Sequence, residues 1–338
     1  MKKPFVSIVV PMYNSQETIG GCLDSLINLD YPKTGYEILV VDDHSTDESA
    51  KIAREFTQIY GNIYLLSQAI GKKGPAAARN LGIKNAKGEF IASTDADEMM
   101  FPQWLNELLP SFSNQKIAAV GAWLVEKHPL DKGLSPQIQS ILIDPKCKPS
   151  TVAAGNVIYR GKILQEMGGF NEFCAFNDLD VDLHYRMQEK GFELIAVQKY
   201  LGQHKQRHSL IAFYKRMRGF GAAGIMIALL NVRKAFTNFK DKKGIVNYLG
   251  LFMVLALSMV SIIGFLFVNP QISFFILIAY LMVLILYSCF NAVLCLRRTK
   301  SSALFLPLVS FYIFIKMIAI INGVFYGLFY YVRNVGKK

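Results

Sequence analysis

The 338-residue chain is 52% hydrophobic and only 18% charged, too apolar for an ordinary water-soluble enzyme. Its formal net charge of +12 is uneven: no Asp or Glu follows Asp241, which is also the only acid between Lys199 and Lys243. A basic belt ahead of apolar spans fits anionic lipid headgroups on the cytosolic side, and with no nucleic-acid motif beside it, a lipid surface is expected as its partner in preference to nucleic acid.

The opening "MKKPFVSIVVP" starts like a signal peptide, but Pro11 interrupts the apolar run and no small-residue cleavage site follows, so residues 5–10 read as a strand. Asn14 or Ser15 is expected to cap a helix in which Ile19, Cys22, Leu23, Leu26 and Ile27 recur at helical spacing. A second strand follows at 37–41. Ser45 and Glu48 then form the pattern of a capping box, opening a helix with Ile52, Ala53, Phe56 and Ile59 on one face. A third strand at 62–67, a short helix at 76–86 and a fourth strand at 89–93 lead into the acidic "STDADE". This rhythm predicts an α/β fold with a doubly wound, mostly parallel sheet. Ligands of such sheets bind beyond the carboxyl ends of the strands, where positions 11–14, 42–45 and 95–98 converge.

Further along, a helix near 103–112, a strand at 117–125 and an irregular region to about 150, read as a flap, precede "VAAGNVIYR" (152–160), a helix from Gly161 and the acid-rich 177–187. A strand at 192–198 follows the helix stop Gly191. Residues 210–232 are basic, amphipathic and interrupted by glycine, the pattern of an interfacial helix. Apolar spans at 248–268 and 272–296, the basic "RRTK" and a third apolar stretch at 303–330 with Pro307 and Lys316 complete the chain. The expected domains are a catalytic domain at 1–209, an interfacial segment at 210–245 and a transmembrane region of two or three helices at 246–338. The catalytic domain then faces the cytosol, and five cysteines without metal-ligand pairing fit a reduced compartment.

Asp42 and Asp43 in "VVDDHSTDES" follow a strand, so one of them can accept from the imide N–H of a uracil ring or from a ribose hydroxyl. Pro11, Tyr13 and Asn14 end the neighbouring strand and are assigned to the same nucleotide side. In "TDADE", Asp95 and Asp97 alternate along what reads as extended chain and face opposite ways, one toward the ribose and one toward a metal. Mg2+ or Mn2+ binds through one or two carboxylates plus phosphate oxygens. Lys72 and Arg79 in "GKKGPAAARNLG" supply the opposite sign, Arg79 at a helix start suited to gripping phosphate or base.

Taken in order, "VSIVVPMYN", "VVDDHSTDES", "AARNLG" and "STDADE" resemble the inverting family 2 glycosyltransferases of the GT-A fold, over about residues 4–215. The resemblance implies a nucleotide-diphosphate sugar donor, UDP-sugar favoured, with Asp42 or Asp43 on the base and Arg79 near the nucleotide. It makes Asp95 and Asp97 the D-x-D pair, Asp97 the better metal ligand, and places His204 near the metal or diphosphate. The family's Glu-Asp-x-Asp-Leu followed by Arg matches "LDVDLHYR" (179–186), which makes Asp180 the general base; Leu179 replaces the usual Glu, and Asp178 is the alternative. "GN" (155–156) and "GGFNE" (168–172) resemble acceptor-side segments. The resemblance and the spans together imply a membrane-anchored enzyme moving one sugar to a lipid-linked or glycan acceptor. The segment that marks processive synthases is missing, since the only tryptophans are Trp104 and Trp123. A polyprenyl-phosphate sugar synthase would need no base, and a vestigial nucleotide-sugar-binding module is the non-enzymatic rival. A dinucleotide enzyme is excluded by "PMYNSQETIGG" after the first strand.

Overall fold

The computed structural model describes residues 3–71, 74–127, 155–172, 179–205, 210–230 and 306–335, with helical residues scattered between 282 and 293. The chain forms two units, one of Met1–Asp131 with Lys148–Arg207, the other of Lys132–Cys147 with His208–Lys338. The expected flap falls largely, and the span at 248–268 wholly, outside the described residues, as does most of the span at 272–296.

In the first unit β1 (Val6–Met12), β2 (Tyr36–Asp42) and β4 (Phe90–Thr94) are apolar runs buried along nearly their whole length, as strands covered on both faces must be. Full burial of a side chain such as Ile8, Val10 or Val40 is worth about 1.5–3 kcal/mol. With β3 (Ile63–Ser67), these strands pair in parallel as the sequence leads one to expect. The second half of the sheet departs from it in part, β6 and β8 still pairing in parallel. β5 (Glu98–Met100), β6 (Ile117–Lys127), β7 (Asn156–Arg160) and β8 (Glu193–Lys205) complete the order β3-β2-β1-β4-β7-β6-β8-β5. Here β7 runs antiparallel to β4 and β6, and β5 antiparallel to β8, so the sheet is mixed. An apolar run such as "NVIYR" fixes which residues are buried but not which way the strand points.

Helix α1 (Ile19–Ile27) buries the five residues its spacing singles out. Neither Asn14 nor Ser15 caps it with a side chain; the Ser15 carbonyl accepts from the Thr18 and Ile19 amides, both at 2.9 Å. In α2 (Ser49–Ile59) the capping box does not form, because Ser45 Oγ instead accepts from the Asn14 amide at 3.0 Å. The buried stripe of α2 runs through Ser49, Ala53, Phe56 and on to Tyr60. That rotation leaves Ile59 71% exposed, against expectation. α3 (Pro75–Asn85) packs on β1 and β2, and α4 (Trp104–Leu108) buries Trp104, whose Nε1 donates to Asn156 Oδ1 at 2.7 Å. α5 (Gly161–Glu166) and α6 (Leu179–Glu189) follow β7.

In the second unit, α7 (Leu210–Leu230) packs on α8 (Leu306–Val335). A Cβ at Gly221 would overlap the Ile320 carbonyl oxygen, and one at Gly323 would overlap that of Arg218. Two small residues thus let the backbones touch, as at close helix crossings in membranes. Phe213 meets Tyr312 with ring centroids 5.4 Å apart, and the Arg218 guanidinium lies 4.3 Å from the Tyr326 ring. Among the described residues one stretch, Val309–Gly327, is long and apolar enough to cross a membrane.

Candidate active site

The ends of β1 and β2 are joined by their loops. Asn14 and His44 both adopt positive φ, 46° and 64°, a conformation that a short polar side chain tolerates better than a branched one. Asn14 Oδ1 accepts from the Thr46 amide at 2.8 Å, and the Ser15 amide donates to Ser49 Oγ at 2.7 Å. The Gln16 amide donates to Asp47 Oδ2 at 3.2 Å while Gln16 Oε1 accepts from the Glu48 amide at 3.1 Å. The two loops form one wall. Pro11 remains in β1, opposite Val41, and Tyr13 stands out at 56% exposure.

Asp42 Oδ1 accepts from the Ser45 amide at 3.2 Å. Asp43 Oδ2 accepts from the Gly74 amide at 2.7 Å, whereas its buried Oδ1 has no hydrogen-bond partner among the described residues. A buried acceptor left open is costly, so Asp43 offers a buried oxygen suited to a ligand N–H or O–H.

Beyond β4 the chain turns; it is not extended as the D-x-D spacing suggests. The Glu98 amide closes the turn onto the Asp95 carbonyl at 3.0 Å, because the chain must swing from β4 into β5. Asp95 and Asp97 still have different partners. Asp95 Oδ1 pairs with the Arg79 guanidinium, whose Nε donates to Ser93 Oγ at 3.3 Å. Arg79, 4% exposed, also lies 5.7 Å from the Phe170 ring centre. Burial raises the Asp95 carboxyl, with Arg79 opposing and Asp97 adding to the rise; its side chain remains 39% exposed, so water tempers the effect. Asp97 Oδ2 stands 3.4 Å from His204 Nε2. β8 runs farther than its apolar pattern indicates and carries His204 to this turn, opposite Glu98.

Glu98, left without a role by the sequence, is buried beneath the turn. Its Oε2 accepts from Thr94 Oγ1 and from the Asp95 amide, both at 3.0 Å. Burial, reinforced by the charge of Asp95, pushes its carboxyl well above the usual range. Among the described residues no three His, Cys, Asp or Glu side chains cluster as a complete metal site. Two do fit a shared cation: atoms 3.4 Å apart on Asp97 and His204 can both reach an ion about 2.1 Å away, phosphate oxygens completing its shell.

Asp180 lies in the first turn of α6, and its charge bears on Asp95. Asp182 is buried and takes Arg186 Nε at 2.8 Å, the i,i+4 pair of the same helix. Arg186 goes on to the carbonyls of Met167 and Gly169 at 2.6 and 2.7 Å. Within "LDVDLHYR", Asp182 and Arg186 are therefore fasteners, and their i,i+4 spacing is the sequence signal for it. The "GGFNE" turn is clasped by Asn80, a residue the sequence did not single out: its Oδ1 accepts from the Phe170 amide and its Nδ2 donates to the Phe170 carbonyl, both at 2.8 Å. In "GN", Asn156 is fully buried and donates to the Trp123 carbonyl at 3.1 Å, so its amide is engaged within the protein. Lys72 and Asp178 lie outside the described residues.

The carboxyl ends of β2 and β4 thus present an open acceptor and, with β8, a carboxylate–imidazole pair, and α6 brings a carboxylate whose charge bears on Asp95. Residues 7–156 match Glycosyl transferase family 2. Over 239 residues the chain is 28% identical to Glycosyltransferase AglE of Haloferax volcanii, covering 69% of this chain and 78% of that protein. It is 25% identical over 285 residues to the dolichyl N-acetyl-alpha-D-glucosaminyl phosphate 3-beta-D-2,3-diacetamido-2,3-dideoxy-beta-D-glucuronosyltransferase of Methanococcus voltae, covering 78% of this chain and 84% of that one. Among solved structures, the mannosyltransferase PcManGT from Pyrobaculum calidifontis, in complex with GDP-Man and Mn2+, aligns with a TM-score of 0.53 at 21% identity, over 68% of this chain and 65% of that chain. That likeness is one of fold.

Proposed function

We propose that the chain is a membrane-attached, metal-dependent family 2 glycosyltransferase. It moves one sugar from a nucleotide-diphosphate sugar to a hydroxyl of a lipid-linked or glycan acceptor, with inversion at the anomeric carbon. The observation that carries this reading is the meeting of Asp43, the Arg79–Asp95 pair, the Asp97–His204 pair and Asp180 at one end of the sheet. The apolar stretch Val309–Gly327 supports membrane attachment, and the dolichyl phosphate named for the Methanococcus voltae relative supports a lipid-linked acceptor.

In this mechanism Asp43 Oδ1 takes a donor atom of the base or ribose, and the joined loops of β1 and β2 fix the depth at which the nucleotide sits. Arg79 holds Asp95 in place beside the ribose. Mn2+ or Mg2+ bound between Asp97 and His204 would supply charge neutralisation for the departing diphosphate. Asp180 takes the proton of the acceptor hydroxyl as its oxygen attacks the anomeric carbon from the side opposite the diphosphate, which inverts the centre.

The test uses the full chain in detergent with UDP- and GDP-sugars and membrane lipid extract, reading nucleoside diphosphate release and lipid-linked sugar. Asp97→Asn should abolish metal-stimulated turnover. Asp180→Asn should leave donor binding intact and lower transfer by at least about 100-fold, the lower range for a general base. Normal transfer by Asp180→Asn with loss in Asp178→Asn would move the base to Asp178. Nucleotide-sugar binding with no transfer under any metal would instead indicate a binding module.

A further inference from the structure

Helix α6 carries a second titratable group that the proposed reaction does not use. His184 lies one helical turn beyond Asp180, on the same face, and is buried. Its Nε2 is 2.9 Å from the hydroxyl of Tyr159 on β7, itself completely buried. Burial lowers the pKa of His184, against the pull of Asp180, so the imidazole is neutral at neutral pH. Burial pushes the Tyr159 hydroxyl well up, Asp180 adding to the rise and Arg79 opposing it. The two groups therefore meet as neutral partners, between a negative charge on α6 and a positive charge on α3.

The contacts continue past this pair. The Tyr159 ring meets Phe170 edge-on, centroids 6.2 Å apart at 88°. Phe170 in turn lies against the Arg79 guanidinium that pairs with Asp95. An unbroken series of packed groups, His184, Tyr159, Phe170, Arg79 and Asp95, thus runs from the helix of the base to the D-x-D turn. Two apolar residues could fill the His184–Tyr159 space. A buried hydroxyl and imidazole instead tolerate one mutual orientation, because any other leaves both unpaired in the interior.

We propose that Tyr159 and His184 are positioning residues for the transfer: their hydrogen bond locks helix α6, and with it Asp180, at a fixed distance from the Arg79–Asp95 pair. The inference rests on Asp180 being the base. Breaking the lock lets the base drift from the acceptor hydroxyl while the nucleotide side stays as it was, so the chemical step suffers and donor binding does not.

The experiment compares Tyr159→Phe, His184→Leu, His184→Gln, the double variant Tyr159→Phe/His184→Leu and Asp180→Asn in the full chain, measuring kcat for transfer, donor KM and affinity for the nucleoside diphosphate. Tyr159→Phe and His184→Leu should each lower kcat about tenfold, as expected when a buried polar group loses its partner, with donor KM and nucleoside diphosphate affinity within about twofold of the parent. His184→Gln keeps an amide that can bond the Tyr159 hydroxyl in either sense and should recover most of kcat. The double variant should be no worse than either single one, since both remove the same bond. Loss of transfer in Asp180→Asn beside an unchanged kcat in Tyr159→Phe and His184→Leu overturns this inference alone. So does a parallel change of kcat and donor KM. Normal transfer in Asp180→Asn overturns the assignment of the base, and the inference with it.

Discussion

Gly169→Ala puts a number on the clasp between α3 and the "GGFNE" turn. Gly169 has φ +69°, and a Cβ there would overlap Asn80 Oδ1. An L residue in the left-handed region costs about 1–2 kcal/mol. Displacing Asn80 also strips two hydrogen bonds to Phe170, both 2.8 Å, worth about 1 kcal/mol each, for a total of about 3–4 kcal/mol. Its neighbour is the control. Gly168 has φ +73° and nothing within 4 Å of an added Cβ, so Gly168→Ala should cost only the backbone part, about 1–2 kcal/mol. Trp104 and Trp123, the only tryptophans, both belong to the first unit, so urea unfolding followed by tryptophan fluorescence reports that unit by itself. The two variants should differ by about 2 kcal/mol, and the difference should disappear in an Asn80→Ala background, where there is no clasp to displace. Equal losses in the parent background would refute the reasoning.

Glu98→Gln retains a carbonyl that accepts from Thr94 Oγ1 and the Asp95 amide but removes a buried charge. The folded carboxyl titrates above its unfolded value, so the folded state binds the extra proton and the parent loses stability as pH rises from about 4.3 through the folded value. With chelator present, the variant should match the parent near pH 4 and exceed it at pH 8 by thermal unfolding; a uniform loss at both pH values would contradict this. In the second unit, helix propensity alone predicts that Gly221→Ala and Gly323→Ala gain about 1 kcal/mol each. The backbone overlaps at both positions predict a loss instead, read as a lower temperature for dispersal of the full chain in detergent, and a gain in either variant would mean the crossing is looser than described.

The first half of the sheet was legible because Ile8, Val10, Ile38 and Val40 belong to runs that only a doubly covered strand explains. Asp43 and Asp97 could be placed from their position after those runs. Strand β5 could not: three residues carry no period, and Glu98–Met100 is a strand only because Gly202–His204 lies beside it. The same long-range pairing carries His204 beyond the apolar part of β8. The expected cap at Asn14 and capping box at Ser45 failed for a related reason, since Ser45 and Asn14 bond each other's loops. Arg79 looked like a phosphate grip, but its burial and its pairing with Asp95 and Ser93 depend on where α3 docks. His184 has a legible spacing from Asp180; its partner Tyr159 lies 25 residues away in another element and leaves no local trace.

The stitched loops after β1 and β2 bear on how such a chain can diverge. Each stitch joins a side chain in one loop to the backbone or hydroxyl of the other, so residues 14–16 and 45–49 form a single inherited character. A substitution at Asn14 or Asp47 takes its effect from what stands across the seam. Tolerated changes in this wall should therefore arise in pairs, and a chimera that exchanges one loop without the other should lose the seam between them.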